Sequence, residues 1–253
     1  MNTKLSILLS AIIMSLSSVA SAQLYAYKDG KLIFSSADLT PDSITFESPI
    51  HESVGGLLGK SVDLGLSVRW ASWNVGASSA TGAGAYFGWG ETTVGKEAND
   101  WSSYKYGLKG NQTKYNSADG LTSLQPSDDA ASSNWGPAWR TPTRDEWQEL
   151  VDNCTWEWKA VGEYEDNAIP GFLVTSNVDG YTDASIFIPA AGGRWESNID
   201  YLGEMADYWT SDFYSSDYDY AIGFKMSQSQ KDVAQFYRCG GHNVRAVIAS
   251  KSR

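Results

Sequence analysis

Residues 62–77 read VDLGLSVRWASWNVGA, and the character of the chain changes at this stretch. From here onward, short apolar runs are interrupted by glycine, asparagine, serine and aspartate. Such a pattern predicts many short strands joined by loops. The strand candidates are residues 67–73, 171–175, 184–189, 221–226, 233–237 and 243–248.

One helix is clearly indicated, and it begins after Thr143. Thr143 and Glu146 have the spacing of a capping box, in which each side chain pairs with the backbone amide of the other residue. A single helical face then carries Trp147, Leu150, Val151 and Cys154. A second, weaker helix is predicted over residues 127–134, where Asp128 and Asp129 suit the positive end of the helix dipole.

Residues 1–22 have the pattern of a secretory signal peptide. A basic residue, Lys4, precedes an apolar stretch, and the sequence Ala-Ser-Ala at 20–22 is a small-x-small cleavage pattern. The segment is too short for a permanent membrane anchor. We therefore expect a mature protein that begins at Gln23, has no transmembrane anchor after cleavage, and is secreted, periplasmic or on the cell surface.

The region between the signal peptide and residue 61 divides into two parts. Residues 23–47 are predicted to form a small β unit, because an Asp-Gly pair at 29–30 lies between two apolar runs and residues 43–46 follow as a third strand. Such a meander has too little core to fold alone. Residues 48–60 are predicted as a linker, and residues 61–253 as the main domain.

Composition narrows the classes of partner. The 253-residue chain has 30 acidic against 19 basic residues and a net charge of -11, which disfavours a nucleic-acid partner. Divalent cations and neutral polar ligands are compatible with that charge. Eleven tryptophans, fourteen tyrosines and 24 glycines indicate a loop-rich fold in which large aromatic side chains fix irregular backbone.

The cysteines and histidines suggest little chemistry by themselves. Cys154 and Cys239 are the two cysteines, and they either form one disulfide that closes a long loop or remain as two free thiols. His51 and His242 lack partners at the spacing of a zinc site or a catalytic triad.

A series of short motifs follows in a fixed order. They are VDLGLSVRWA at 62–71, NVGA at 74–77, GWGETT at 88–93, DDAA at 128–131, WRTPT at 139–143 with EW at 146–147, IPAAG at 188–192, YWTS at 208–211 and VR at 244–245. This order resembles the Fibrobacter succinogenes major paralogous domain family, over residues 61–248. The leader also resembles those that precede this domain in exported Bacteroidetes proteins.

The resemblance implies a fold class. The family is similar to formylglycine-generating-enzyme and C-type-lectin-like domains, so it implies an α+β, C-type-lectin-like domain with long loops, preceded by the small β meander. Two helices would flank a twisted antiparallel sheet. Residues 67–73 would pair with residues 243–248, and the long loops would form a display surface.

The same resemblance raises an enzymatic hypothesis. Formylglycine-generating enzymes use a pair of cysteines late in the chain, and residues 237–239 faintly resemble that neighbourhood. Only Cys239 stands there, because Cys154 lies on the predicted helix, so copper or redox chemistry lacks its ligands. We expect no enzymatic activity.

The late part of the chain is the predicted binding surface, because tyrosine provides rigid contact area while serine and aspartate provide adaptable hydrogen bonds. The candidate ligand-binding residues are Asp212, Tyr214, Asp217, Tyr218, Asp219, Tyr220, Gln228, Gln230, Tyr237, Arg238 and Asn243. Asp217 and Asp219 could share a calcium ion, since alternate residues of an extended segment point the same way. The same residues could instead contact a ligand without a metal, or form a loop that is merely solvated, and no cofactor besides calcium is expected.

Two tryptophans allow a second location for a site. Trp156 and Trp158 alternate as in a half-buried strand, and they either pack in the core or form a platform for sugar stacking.

Three functions remain open at this point. The leading hypothesis is an exported, non-catalytic binding protein that recognises a glycan or a protein through its late-chain loops. The second is a structural tip or scaffold component whose leader joins another subunit by strand addition. An oxidase similar to formylglycine-generating enzymes is the third.

Overall fold

The structure is a computed structural model, and it describes residues 25–28, 31–35, 60–166 and 168–250. The chain separates into two compact units, Met1–Glu52 and Ser53–Arg253. The predicted signal peptide, the third leader strand at 43–46 and nearly all of the predicted linker lie outside the described residues.

The first unit contains a hairpin. Strand β1 (Tyr25–Lys28) pairs in antiparallel fashion with β2 (Lys31–Ser35), and Lys28 lies opposite Lys31. The two leader strands predicted on either side of the Asp-Gly pair are therefore confirmed.

The second unit consists mainly of short strands. They are β3 (Ser61–Val62), β4 (Val68–Ala71), β5 (Gly107–Leu108), β6 (Asn111–Gln112), β7 (Trp139–Arg140), β8 (Cys154–Lys159), β9 (Gly171–Ser176), β10 (Ser185–Pro189), β11 (Gly193–Trp195), β12 (Asn198–Asp200), β13 (Met205–Phe213), β14 (Tyr220–Ser227), β15 (Gln230–Tyr237) and β16 (Val247–Ala249). The helices of the described residues are α1 (Ala130–Trp135) and α2 (Arg144–Asn153), with a short 3-10 turn, Pro126–Asp128, before α1.

These strands form several small antiparallel sheets. One sheet has the strand order β3-β4-β16-β7, and two three-stranded sheets have the orders β10-β9-β8 and β13-β14-β15. Two hairpins, β5-β6 and β11-β12, stand apart from these sheets.

The predicted α+β class, with two helices flanking one twisted sheet, is wrong. The fold is mainly β, because α1 has only six residues and α2 has ten, and the strands do not join into a single sheet. The helix predicted over residues 127–134 is short for a local reason. Pro126 begins a 3-10 turn instead, and Gly136, with φ of 94°, ends α1 directly before Pro137.

The predicted pairing between the two ends of the main domain is confirmed. Val247 of β16 lies opposite Trp70 of β4, and Arg140 of β7 lies on its other side. The regular part of the last strand is shorter than the predicted residues 243–248, because Asn243 makes an isolated bridge to Tyr208 and β16 begins only at Val247.

The first core is formed by α2, β4 and side chains of both three-stranded sheets. Trp147 of α2 stacks on Phe224 with ring centroids 4.4 Å apart, and it meets Trp70 edge-on at 4.7 Å. The predicted capping box is confirmed, since the side chains of Thr143 and Glu146 each accept a hydrogen bond from the other residue's amide. The capping box and the packing of Trp147 in the first core therefore both favour a helix that begins directly after Thr143.

Two tryptophans extend this core along β8. Trp156 and Trp158 contact Phe172 of β9 edge-on, with ring centroids 5.4 and 5.1 Å apart. Both are partly buried against the first core. Their contacts match packing in the core, not an open platform for a sugar.

The second core surrounds a buried cation, Arg238, which is 0% exposed. Its guanidinium donates hydrogen bonds to the Tyr104 hydroxyl at 2.9 Å and to the carbonyls of Lys114, Tyr115 and Tyr218 at 2.9, 3.2 and 3.0 Å. Five aromatic rings lie within 6.0 Å of it, those of Trp89, Tyr104, Tyr106, Tyr115 and Phe213. Carbonyl oxygens and ring faces thus take the place of water around the charge.

We expect Arg238→Lys to destabilise the domain strongly. A lysine ammonium lacks the planar fork, so some of the acceptors around it would be buried without a partner. The loss should be about 2 to 4 kcal/mol in the free energy of unfolding, measured by urea denaturation. Arg144→Lys, at a largely exposed arginine, is the matched control and should change little. Equal stability of both variants would contradict the role given to Arg238.

Candidate functional site

The structure does not bring the predicted ligand residues together in one place. Tyr220 lies opposite Tyr237 at one end of the β14-β15 hairpin, whereas Gln230 lies opposite Ser227 at the other end, next to Gln228. About seven residues of strand separate the two ends, roughly 23 Å at about 3.3 Å per residue. The predicted surface is therefore divided.

The segment between β13 and β14 forms turns, so the extended geometry assumed for calcium binding is wrong. One oxygen of Asp219 accepts hydrogen bonds from the Gly110 amide and the Gln112 side chain, both at 2.7 Å, and Asp217 accepts one from the Asp219 amide at 2.9 Å. Among the described residues, no group of three or more His, Cys, Asp or Glu side chains is placed to hold a metal ion. Tyr214 in this segment is partly buried, and Tyr218 stacks on Phe213.

Three further candidates have structural contacts. Arg238 and Asn243 are both 0% exposed, so the prediction that they contact a ligand at the surface is corrected. The Asn243 side chain donates hydrogen bonds to the carbonyls of Ala83 and Ala85. Asp212 accepts a hydrogen bond from the Arg144 amide at 2.8 Å, at the start of α2.

The two cysteines are free thiols. Cys154 belongs to the first core and Cys239 to the second, and both are buried. Burial raises the pKa of Cys154 to about 11 and that of Cys239 to about 12. Both thiols are therefore protonated near neutral pH.

One cleft combines exposed aromatic rings with buried polar atoms, and we call it the aromatic cleft. It has a volume of about 530 Å³, including its open side. The residues that define it are Trp195, Tyr201, Asp207, Phe236, Tyr237 and His242. Of the residues predicted from the sequence, only Tyr237 lines it, and Tyr220 stacks behind Tyr237 at 4.5 Å.

The hairpin β11-β12 forms one wall of the cleft. The backbones of Arg194 and Gly241 exchange two hydrogen bonds, of 2.7 and 2.9 Å, which fix the hairpin to the segment that carries His242. Only glycine fits at position 192, because its φ is 70° and a Cβ atom there would lie 2.3 Å from the Asp200 carbonyl. The chain leaves the hairpin at Tyr201, which has an unfavourable φ of 59°.

The rim of the cleft consists of aromatic side chains. Trp195 is 40% exposed and Tyr201 is 62% exposed, although both are large. The Trp195 ring lies 6.2 Å from that of Tyr237, which Trp101 contacts from another side at 5.8 Å. Supported and exposed rings of this kind offer contact area at a small cost in conformational entropy.

The floor of the cleft carries Asp207 and His242. The His242 ring lies between Trp209 and Phe236, with centroids 4.4 and 4.6 Å away, which fixes its orientation. His242 Nδ1 and Asp207 Oδ2 are 3.9 Å apart, beyond hydrogen-bond distance. Asp207 Oδ1 and His242 Nδ1 are both buried and have no hydrogen-bond partner within the described part of the chain.

Burial changes the ionisation of both floor residues. It raises the pKa of Asp207 to about 6, although Lys225, its cross-strand neighbour, acts in the opposite direction. Burial lowers the pKa of His242 to about 3. At neutral pH the floor therefore holds an ionised carboxylate and an uncharged imidazole, and the two do not form an ion pair.

A second depression, beside Asp129 and Thr141, gives a useful contrast. There the Asp129 carboxylate accepts four hydrogen bonds, from the amides of Ala131, Ser132 and Thr141 and from the Thr141 hydroxyl. Arg140 in the same depression pairs with Glu146. The charged groups of Asp129 and Arg140 in this depression are therefore already paired, unlike Asp207 in the aromatic cleft.

Sequence reasoning missed most of the aromatic cleft. Asp207 and His242 are far apart in the chain, and a parallel bridge between Tyr208 and Asn243 brings them together. The high exposure of Trp195 could not be read from its neighbours in the chain. The one signal in the sequence was an aspartate that directly precedes the buried pair Tyr208-Trp209.

Comparison of the chain with protein-family models, curated proteins and solved structures finds no match. The resemblance to the Fibrobacter succinogenes major paralogous domain family therefore stays a prediction. Within the described residues, neither α-helix reaches the length needed to cross a bilayer.

We expect Asp207→Asn to stabilise the fold at pH 7.5. The folded state raises the Asp207 pKa above its ordinary value of 3.8 to about 6, so it favours the protonated form. Ionised Asp207 thus costs stability above pH 6, and the cost disappears below about pH 4. Urea denaturation should show a gain on the order of 1 to 3 kcal/mol at pH 7.5 and a smaller difference at pH 4.

The control for this variant is Asp200→Asn, at an exposed aspartate beside the same cleft. It should leave stability almost unchanged at both pH values. An Asp207→Asn effect that does not depend on pH would show that the buried charge is not its cause.

Proposed function

We propose that this protein is an exported, non-catalytic binding protein that takes a glycan in the aromatic cleft. The observation that carries the proposal is the pairing of an exposed aromatic rim, Trp195 and Tyr201, with buried, unpartnered polar atoms on the floor. Export rests on the signal-peptide pattern of residues 1–22.

The chemistry of the cleft matches the chemistry of a sugar ring. A pyranose has a face of C–H groups that packs on an aromatic ring and an edge of hydroxyl groups that forms hydrogen bonds. Trp195 and Tyr201 offer the aromatic contact, and Asp207 and His242 offer the polar contact. Binding sites commonly combine apolar walls with a few fixed polar groups in this way.

The unpaired floor atoms also supply a driving force. A buried polar atom without a partner costs about 1 to 3 kcal/mol. A hydroxyl group that donates to the partly exposed Asp207 carboxylate would offset part of the cost of burying this charge, whereas a purely apolar ligand would increase it.

The placement of reactive groups supports binding over catalysis. Cys154 and Cys239 are in the two cores, with pKa values raised by burial, so neither thiol is presented as a nucleophile in the cleft. His242, whose pKa burial lowers to about 3, is a poor proton donor near neutral pH. The oxidase hypothesis gains no support from these positions.

We expect Trp195→Ala and Tyr201→Ala to weaken glycan binding. Mature protein that begins at Gln23 would be screened on a glycan array, and the dissociation constant of each hit would be measured by calorimetry. Each substitution should weaken binding about tenfold or more, because aromatic anchors commonly contribute 1 to 2 kcal/mol or more. The melting temperature should change little, since both side chains are exposed.

Tyr218→Ala is the matched control, because Tyr218 is 37% exposed and lies outside the residues that line the cleft. It should bind like the parent, and the bound glycan should be recovered unchanged. Loss of binding in Tyr218→Ala alone would return the site to the turn predicted from the sequence. Failure of every glycan on the array would refute a glycan ligand.

A further inference from the structure

We infer that the floor of the aromatic cleft selects a neutral saccharide and disfavours an acidic one, because Asp207 and His242 together require a hydroxyl partner. The inference rests on the proposed function, since it assumes that a glycan occupies the cleft. It adds to the proposed function the class of glycan that binds and the two residues, Asp207 and His242, that recognise it.

The Asp207 carboxylate and the His242 ring define the ligand group. The Asp207 side chain is 17% exposed, and its carboxylate, when ionised, only accepts hydrogen bonds, so its partner must be a donor. The neutral His242 ring donates or accepts according to its tautomer. A hydroxyl group serves all of these cases because it both donates and accepts. A carboxylate or sulfate group on the ligand cannot donate to Asp207.

The charges around the floor also disfavour an acidic ligand. Asp200 adds a second carboxylate to the lining of the cleft. Arg194 also lines it, but its guanidinium lies 4.7 Å from the centre of the Tyr86 ring and donates to the Lys96 carbonyl. Arg194 Nε is buried without a hydrogen-bond partner among the described residues, so the lining holds one guanidinium against the two carboxylates of Asp200 and Asp207. The carboxylates outnumber the cation, which disfavours an acidic ligand.

Charged residues also lie on β14 and β15, the other two strands of the sheet that contains Asp207. Lys225 lies opposite Asp207 in the β13-β14 pair, and Asp232 lies opposite Lys225 in the β14-β15 pair. Lys225 lines a neighbouring depression with Glu204 and not the aromatic cleft itself. An acidic sugar in the cleft would therefore meet Asp207 and His242 without a lysine among the lining residues.

The affinity for a neutral sugar should fall as the pH falls. The pKa of Asp207 is about 6, so a proton competes with the hydroxyl donor as the pH falls through that value. One pH unit below the pKa, about one tenth of the carboxyl groups remain ionised, and a neutral carboxyl group accepts a weaker hydrogen bond, so neutral-sugar affinity should fall by at most about tenfold. His242 stays uncharged in this range, because burial lowers its pKa to about 3.

The test uses matched oligosaccharides. Each neutral oligosaccharide that binds is compared with its counterpart in which the C6 hydroxymethyl groups are oxidised to carboxylates, at pH 7.5 and pH 5.0, by calorimetry. The neutral member should bind more tightly at pH 7.5 than at pH 5.0, by at most about tenfold. The acidic member should bind about tenfold more weakly than the neutral one at pH 7.5 and gain affinity at pH 5.0.

Three variants assign the effect to the floor. Asp207→Asn should abolish the pH dependence and reduce the discrimination between the two sugars. His242→Phe keeps a ring between Trp209 and Phe236, and it should weaken neutral binding while the pH dependence remains. Asp179→Asn should retain both the pH dependence and the discrimination, because Asp179 is an exposed carboxylate that does not line the cleft.

Two outcomes would overturn the inference while leaving glycan binding intact. One is an acidic member that binds at pH 7.5 as tightly as its neutral counterpart. The other is neutral binding that is the same at both pH values, in the parent and in Asp207→Asn. If no glycan binds at all, the proposed function itself fails, which is a distinguishable result.

Discussion

The buried guanidinium of Arg238 is the interaction on which the second core depends. In the part of the chain that the structure describes, none of its hydrogen-bond partners is a carboxylate, so the backbone presents carbonyl oxygens to it. Two of these belong to Lys114 and Tyr115, and a third to Tyr218, which ties two distant loops to the end of β15. Loops without regular structure are thereby held in one arrangement, and the Arg238 carbonyl itself accepts the Trp89 amide at 2.7 Å.

The segment that follows Arg238 connects the second core to the aromatic cleft. Residues 241–243 bridge to Arg194, Phe87 and Tyr208, and Arg245 then donates hydrogen bonds to the carbonyls of Ala71 and Phe187. A single short stretch of chain therefore contacts both cores and the wall of the cleft. The floor residue His242 is fixed in the middle of it, while Trp195 and Tyr201 remain exposed on the hairpin. A rigid floor under an accessible rim suits binding by a preorganised site.

Local signals in the sequence predicted local structure well. The capping box of α2 and the leader hairpin depend on residues close together in the chain, so they could be read directly. The α+β class failed because Pro126 and Gly136 confine α1 to one short segment. The cleft could not be predicted, since Asp207 and His242 are brought together by an isolated bridge between Tyr208 and Asn243, which are far apart in the chain. Arg238 was misplaced because arginine is usually exposed.

Unpaired polar atoms beside exposed aromatic rings favour a binding function for the aromatic cleft. Asp129 shows that this fold can satisfy a buried carboxylate completely, with four hydrogen bonds. By contrast, within the described ranges Asp207 is left with an unpaired oxygen, and His242 has an unpaired nitrogen. Other buried polar atoms without a partner, such as those of Asn74 and Trp147, lie elsewhere in the domain, but Asp207 and His242 line a cleft beside the exposed rings of Trp195 and Tyr201. A ligand that carries hydroxyl groups can complement this combination of carboxylate, imidazole and aromatic rings.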